Sequence, residues 1–209
     1  MRAVLEAAED RAVPVRTVPR ATLDALADEH RGVVARLGAA AHDTLSERDL
    51  ATFPFVADAV VVVLDGIVDP QNLGAAARSA EAAGAAMLVT RTRRAAEVTA
   101  AAVRASAGAL VHLPHARVAN IARAVERLQG AGFWVVGLDE RSEVSVYDEA
   151  CPEGRVAVVI GGEGKGMSRL TRERCDRLVR LPMRGRVGSL NAAASLAAML
   201  YAYVVPTRN

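Results

Sequence analysis

The chain has 209 residues, 52% hydrophobic and 24% charged, with a formal net charge of +2. That length can bury a sizeable core in one domain with a small appendage, and the near-neutral balance means that any basic, nucleic-acid-facing surface must be local. Aromatic residues make up only 3%, leaving few rings to stack on bases, and two distant cysteines without a CxxC or a histidine cluster argue against a disulfide scaffold or a metal site.

The N-terminal MRAVLEAAEDRAVPV spreads its charges and lacks the apolar stretch of a signal peptide. No run approaches the roughly 18 uninterrupted apolar residues of a membrane span, so a cytoplasmic protein without a membrane partner is expected. Met1 to Arg11 reads as a helix, Val13 to Pro19 as a short strand, and Ala21 to Glu29 as a second helix capped by Thr22. Small and polar residues follow to Pro54. One strand and two helices cannot close a core, so residues 1–55 read as a partial N-terminal segment and linker.

From Asp58 the pattern becomes regular. Continuous apolar runs (AVVVVLDG, AAMLVT, ALVHL, FWVVGLD, VAVVI) alternate with helical stretches such as NLGAAARSAEAAG and VANIARAVERLQGAG. Unbroken strands separated by helices predict an α/β domain over 56–209 with a mostly parallel sheet flanked by helices. Ligands in such sheets sit beyond the carboxyl ends of the strands, which directs attention to five loops.

After Leu64, Asp69 and Pro70 make a turn, Asn72 stands near a helix start as a cap or a site residue, and Arg78 lies on a solvated face or in the site. After Val89, Arg91, Arg93 and Arg94 form either a solvated basic loop or a phosphate-contacting patch. After Leu138, Asp139 could meet a ligand ribose or simply face solvent.

The loop IGGEGKGMS is not a P-loop: Val159 occupies the position of the first Walker A glycine, and Gly166, not Ser or Thr, follows Lys165. A Rossmann fingerprint fails too, because the loop follows a late strand and no ribose carboxylate comes after it at the required spacing. The glycines therefore let the backbone pass close to a ligand or to another chain segment. Glu163 is a loop anchor or a site carboxylate. In LPMRGRVGSLNAAASL, Ser189 is either a helix cap or, with Asn191, part of a site.

Taken together these loops resemble the SpoU branch of the SPOUT superfamily, RNA ribose 2′-O-methyltransferases that use S-adenosylmethionine. The resemblance covers about Val60 to Tyr203 and rests on three motifs in family order: NLGAAARSAEAAGA with Asn72, Arg78 and Gly84; VVIGGEGKGMS with Glu163 and Gly166; and LPMRGRVGSLNAAASLAAMLY with Ser189 and Asn191. Within the branch, LTRERCDRLVRLPM and the N-terminal VPVRTVPRATLDALADEHRGVVARL are most similar to the 23S ribosomal RNA guanosine 2′-O-methyltransferases.

The resemblance implies a C-terminal deep trefoil knot, a homodimer packed partly through the last helix, and RNA as substrate. It implies cofactor contacts at Gly137, Leu138, Gly161, Leu181 and Leu190. It makes Arg78 the residue at the 2′-hydroxyl, with Asn72 and Glu163 orienting it and Ser189 and Asn191 positioning the ribose or shaping the donor loop. A guanidinium is a poor base, so Arg78 is expected to stabilise the developing alkoxide. The sequence departs from the family twice. Ala192 and Ala193 stand where a β-branched residue and a serine usually follow Asn191, from which a packing change is expected. The N-terminal segment matches only the last third of the ribosomal-protein-like RNA-binding domain of the related enzymes, so either the chain is truncated or it recognises RNA differently. A transfer RNA or resistance-type ribosomal RNA methyltransferase, a catalytically idle SPOUT-like RNA-binding or dimerisation module, and a generic nucleotide-binding α/β protein are the alternatives.

Overall fold

The computed structural model describes residues 2–27, 30–35 and 44–207, in two compact units that divide between Ala41 and His42. In the first unit, helix α1 spans Arg2–Asp10 and α2 spans Arg20–Asp24. No strand forms at Val13–Pro19: a strand needs a ladder partner, and Pro14 and Pro19 offer no N–H to one. The cap of α2 is Pro19, with φ −57°, and not Thr22, which already lies inside the helix. The end of the expected second helix, at 28–29, and part of the small-residue stretch, 36–43, lie outside the described residues.

The second unit takes in residues 44–55, so the boundary expected near residue 55 falls earlier. Two features draw this segment in. Strand β1 (Thr44–Leu45) pairs with a later strand, and Leu50 and Phe55 are buried among core residues.

The main fold then alternates strand and helix: β2 (Val60–Asp65), α3 (Pro70–Ala82), β3 (Met87–Arg91), α4 (Ala100–Ala105), α5 (Ala109–His112), β4 (His115–Val118), α6 (Ile121–Gly130), β5 (Trp134–Leu138), β6 (Val156–Gly161), α7 (Arg169–Arg174), β7 (Arg177–Val179) and α8 (Ala192–Met199). The helix continues through a π-wound segment, Leu200–Val204. The seven strands form one sheet in the order β1-β4-β3-β2-β6-β5-β7, and all the strand pairings are parallel.

Period-two geometry divides each apolar run between the two faces of the sheet. Val60, Val62 and Leu64 of β2, with Val156, Val158 and Ile160 of β6, enter one core with residues of α3 and α8. Val61, Val63, Ala157 and Val159 enter the other, with α6 and Phe133. Both faces are covered, which is why the strands read as unbroken apolar runs. Ala192 and Ala193, where the sequence departs from the family pattern, are buried in the first core.

Candidate functional site

Chain connections leave β2 toward β3 and leave β6 toward β7, in opposite directions across the sheet. Such a reversal opens a crevice at the carboxyl ends of the two neighbouring strands, where open parallel sheets hold ligands. The registered pair Asp65 and Gly161 marks this point.

The loop leaving β2 turns into α3 through Asp69, whose carboxylate accepts the N–H groups of Gln71 at 3.2 Å and Asn72 at 3.3 Å, with Pro70 in the first helical position. Asp69 is therefore the cap, and the side chain of Asn72 is released from that role. Its Nδ2 donates to Oε1 of Glu163, in the loop leaving β6, at 2.9 Å.

Asn191 completes the group. Its Oδ1 accepts the N–H groups of Ala193 at 2.9 Å and Ala194 at 3.3 Å, so Asn191, and not Ser189, caps α8. With the oxygen held there, the amide nitrogen faces the other way. It donates to Oε1 of Glu163 at 2.8 Å and to Oδ1 of Asn72 at 2.8 Å. Three loops, 28 to 119 residues apart in pairs, thus meet on one carboxylate oxygen and two amides. Asn72 is half-buried while Glu163 and Asn191 are exposed, so the group is open to a ligand.

Arg78 and Ser189 stand apart from this group. Arg78 is exposed, about 9 Å farther along α3 than Asn72, and the side chains of Arg78 and Ser189 make no hydrogen bond or ion pair among the described residues. The expected orienting bonds from Asn72 and Glu163 to Arg78 are absent from this arrangement; those side chains hold each other and Asn191 instead.

The glycines around the site differ in purpose. A Cβ on Gly161 would lie 2.1 Å from the backbone of Gly166 and Met167, and one on Gly162 would lie 2.3 Å from the carbonyl of Gly66. These two are glycine because another chain segment passes against them, one of the two uses expected for the loop. At Gly137 a Cβ would meet Cys175, Leu178 and Met167, all at 2.9 Å.

The ends of β6, β5 and β7 are neighbours in the sheet, so Gly161, Gly137, Leu138 and, two residues past β7, Leu181 lie along one side of the crevice. Leu138 and Leu181 are half-buried; Leu190 is 47% exposed in the segment before α8. Asp139 is engaged by the protein itself, with Arg172 at 3.6 Å and the N–H of Arg141 at 2.9 Å.

Asp65 was not singled out from sequence. The residue is 3% exposed; its carboxylate accepts the N–H of Ser168 at 2.9 Å, while its carbonyl takes the N–H of Gly162 at 2.8 Å. It clamps both ends of the glycine loop to β2, and an acidic residue closing an otherwise apolar run was the available signal. Among the described residues, no group of three or more His, Cys, Asp or Glu side chains could hold a metal ion, and no helix is long and apolar enough to cross a membrane.

Residues 59–201 match the model of the SpoU rRNA Methylase family. The chain is 40% identical over 201 residues to YacO of Bacillus subtilis strain 168, named as a TrmH family tRNA/rRNA methyltransferase, covering 95% of this chain and 80% of that one. It is 38% identical over 196 residues to the 23S rRNA (guanosine-2′-O-)-methyltransferase RlmB of Photobacterium profundum, covering 92% and 79%. The SpoU methyltransferase AviRb from Streptomyces viridochromogenes, solved with the cofactor AdoMet, superposes with a TM-score of 0.67 at 36% identity over 74% of this chain and 60% of that one.

Proposed function

The chain belongs to the SpoU/TrmH family of RNA methyltransferases, which use S-adenosylmethionine, and on that premise we propose that it methylates a ribose 2′-hydroxyl of structured RNA, a guanosine of 23S ribosomal RNA. The observation that carries the proposal is the joining of Asn72, Glu163 and Asn191, one from each motif, at the point where the sheet's connections reverse.

S-adenosylmethionine supplies a methyl group already activated by its sulfonium. Gly161, Gly137, Leu138 and Leu181 suit it: adjacent strand ends offer main-chain amides and carbonyls to its polar ends, and the half-buried leucines offer an apolar wall. Leu190 closes that wall from the segment before α8.

What remains for the protein is to align the 2′-oxygen and favour loss of its proton. Arg78 carries an unpaired guanidinium on α3 and donates to the developing alkoxide, a role suited to a group that never loses its charge. Asn72, Glu163 and Asn191 fix the three loops in register around it, and the exposed Ser189 hydroxyl positions the ribose. The name of the P. profundum relative favours guanosine of 23S RNA, and that of the B. subtilis relative keeps transfer RNA as the second target.

The proposal includes a homodimer. Its support is the exposed apolar set of Val187, Leu190 and Tyr201, at 73%, 47% and 52%, around α8, whose small-residue face is occupied by its own core. It also includes the trefoil knot, supported by the return of the chain from β7 at the sheet edge to pack α8 on α3. The first unit acts as an RNA-binding element.

The test is methyl transfer from radiolabelled S-adenosylmethionine to RNA, with 2′-O-methyl mapping in cells with and without the gene. Cofactor binding without methyl transfer to any RNA would leave an idle binding module. Preference for ATP over S-adenosylmethionine in calorimetry would leave a generic nucleotide-binding protein. A mapped site in transfer RNA would reassign the target alone.

A further inference from the structure

The basic loop after β3 has no part in the chemistry above, and it differs from a set of arginines elsewhere in the larger unit that are held by carboxylates. Around α6, α7 and the two edge strands β1 and β7, guanidinium groups are neutralised in place: Arg123 and Arg127 on Glu47, Arg174 on Glu126, Arg177 on Glu149, Arg169 on Glu173. Arg91, Arg93 and Arg94 pair with no carboxylate among the described residues.

The loop that carries them is nevertheless held firmly. The N–H of Thr92 donates to the carbonyl of Val118 at 2.9 Å, and Arg117 Nη2 donates to the carbonyl of Thr92 at 3.2 Å. On the other side, the N–H of Ala96 donates to the carbonyl of Ile67 at 2.8 Å, and the Ala96 side chain is buried in the core. Ile67 lies in the loop that leads to Asn72. The arginines are therefore fixed to the same loop that carries the first motif. Arg91 ends β3 two residues beyond the registered pair Val63 and Val89, just as Asp65 ends β2. Arg93 and Arg94 are exposed, and Arg94 has a left-handed backbone, φ 56°, within this tied loop.

Three unneutralised guanidinium groups on a pre-tied loop match a polyanion that does not have to be read base by base. Such groups cost little reorganisation on binding, and arginine forks fit phosphate oxygens. Resting on the RNA methyltransferase reading, we propose that Arg91, Arg93 and Arg94 form a ledge that grips backbone phosphates of the RNA beside the target nucleotide. The ledge fixes position and contributes no base preference. It also gives a chain of net charge +2 a local basic surface at the end of β3.

The test measures binding of the full chain to a 23S rRNA transcript and to an RNA hairpin of unrelated sequence across a salt series. The triple variant R91Q/R93Q/R94Q is compared with wild type and with Arg169→Gln as a surface control. Each lost phosphate contact lowers the slope of log K against log salt by about 0.7 to 0.9, so the triple variant is expected to lose about 2.1 to 2.7 in slope. Both RNAs should weaken alike, with S-adenosylmethionine affinity and turnover at saturating RNA unchanged. The single variant Arg93→Gln should lose about a third of that slope, and retained cofactor affinity reports that each variant is folded. An unchanged slope, or weakening confined to the 23S transcript, overturns the ledge while wild-type methyl transfer still stands. A wild-type protein that neither binds nor methylates RNA overturns the underlying function, and the ledge with it.

Discussion

The Nδ2 of Asn72 lies 2.9 Å from Oε1 of Glu163, a bond between residues 91 positions apart that joins the loops leaving β2 and β6. The same oxygen takes the amide of Asn191 at 2.8 Å. Glu163 is thus the common acceptor that fixes two loops, and it is exposed, so folding does not depend on it for burial. Glu163→Ala is expected to move the melting temperature by no more than about 2 °C, the range of an exposed substitution. Losing a charged acceptor shared by two donors is expected to lower methyl transfer about tenfold to a hundredfold. Glu163→Gln, which keeps one carbonyl oxygen, should fall between. Thermal denaturation alongside single-turnover methylation checks both expectations.

Arg78 sits on the same helix as Asn72 without a protein partner among the described residues. An exposed side chain with no hydrogen-bond or ion-pair partner contributes little to the fold, so its removal isolates its effect on the reaction. Arg78→Ala should leave S-adenosylmethionine affinity nearly intact and reduce turnover by about two to three orders of magnitude, the cost of removing one donor to a developing oxyanion. Arg78→Lys keeps the charge without the planar fork and should recover only part of the loss. Near-normal turnover by the alanine variant would remove Arg78 from the reaction.

Much of this was legible in the chain because its strands are buried on both faces. Runs such as VVVVL and VAVVI leave no period to misread, and the loops at their carboxyl ends follow directly. The residues of the site were legible as types, but their partners were not. Asp69 and Asn191 cap helices for which Asn72 and Ser189 were equally good candidates, since acceptors two or three residues apart compete for the same free N–H groups. Only the sheet order settles which side chain is left over to reach across the crevice. The role of Asp65 was hidden for the same reason: a carboxylate that caps a neighbouring loop looks, in sequence, like the polar end of a strand.

Behind the site, burial and the carboxylates of Asp176, Asp65 and Asp139 push the Cys175 thiol up to about 12. Burial also raises the Tyr203 phenol. The native state therefore keeps the thiol proton that the unfolded chain gives up near 9.0, the ordinary value for a thiol. Above that pH the unfolded state binds fewer protons, so stability is full below about pH 9 and falls as pH climbs toward about 12. One proton contributes a slope of about 1.4 kcal/mol per pH unit. Urea denaturation across that window should give a decline that flattens in Cys175→Ala, whatever the variant's absolute stability. An identical decline in the variant would place the alkaline sensitivity elsewhere. The same protonation should keep native Cys175 unreactive toward iodoacetamide at neutral pH.

Asn191 has two jobs on opposite ends of one amide, and they can be separated. Its Oδ1 caps α8 and its Nδ2 holds Glu163 and Asn72. Asn191→Asp keeps an acceptor for the N–H groups of Ala193 and Ala194 and adds a charge favoured at a helix start. It removes the donor and sets a second carboxylate against Glu163. Stability should hold close to wild type while methyl transfer collapses. Asn191→Ala removes both functions and should lose about 1 kcal/mol of stability as well. If instead the aspartate variant is both as stable and as active as wild type, the cap is the residue's whole contribution, and the contact with Glu163 is incidental to the reaction.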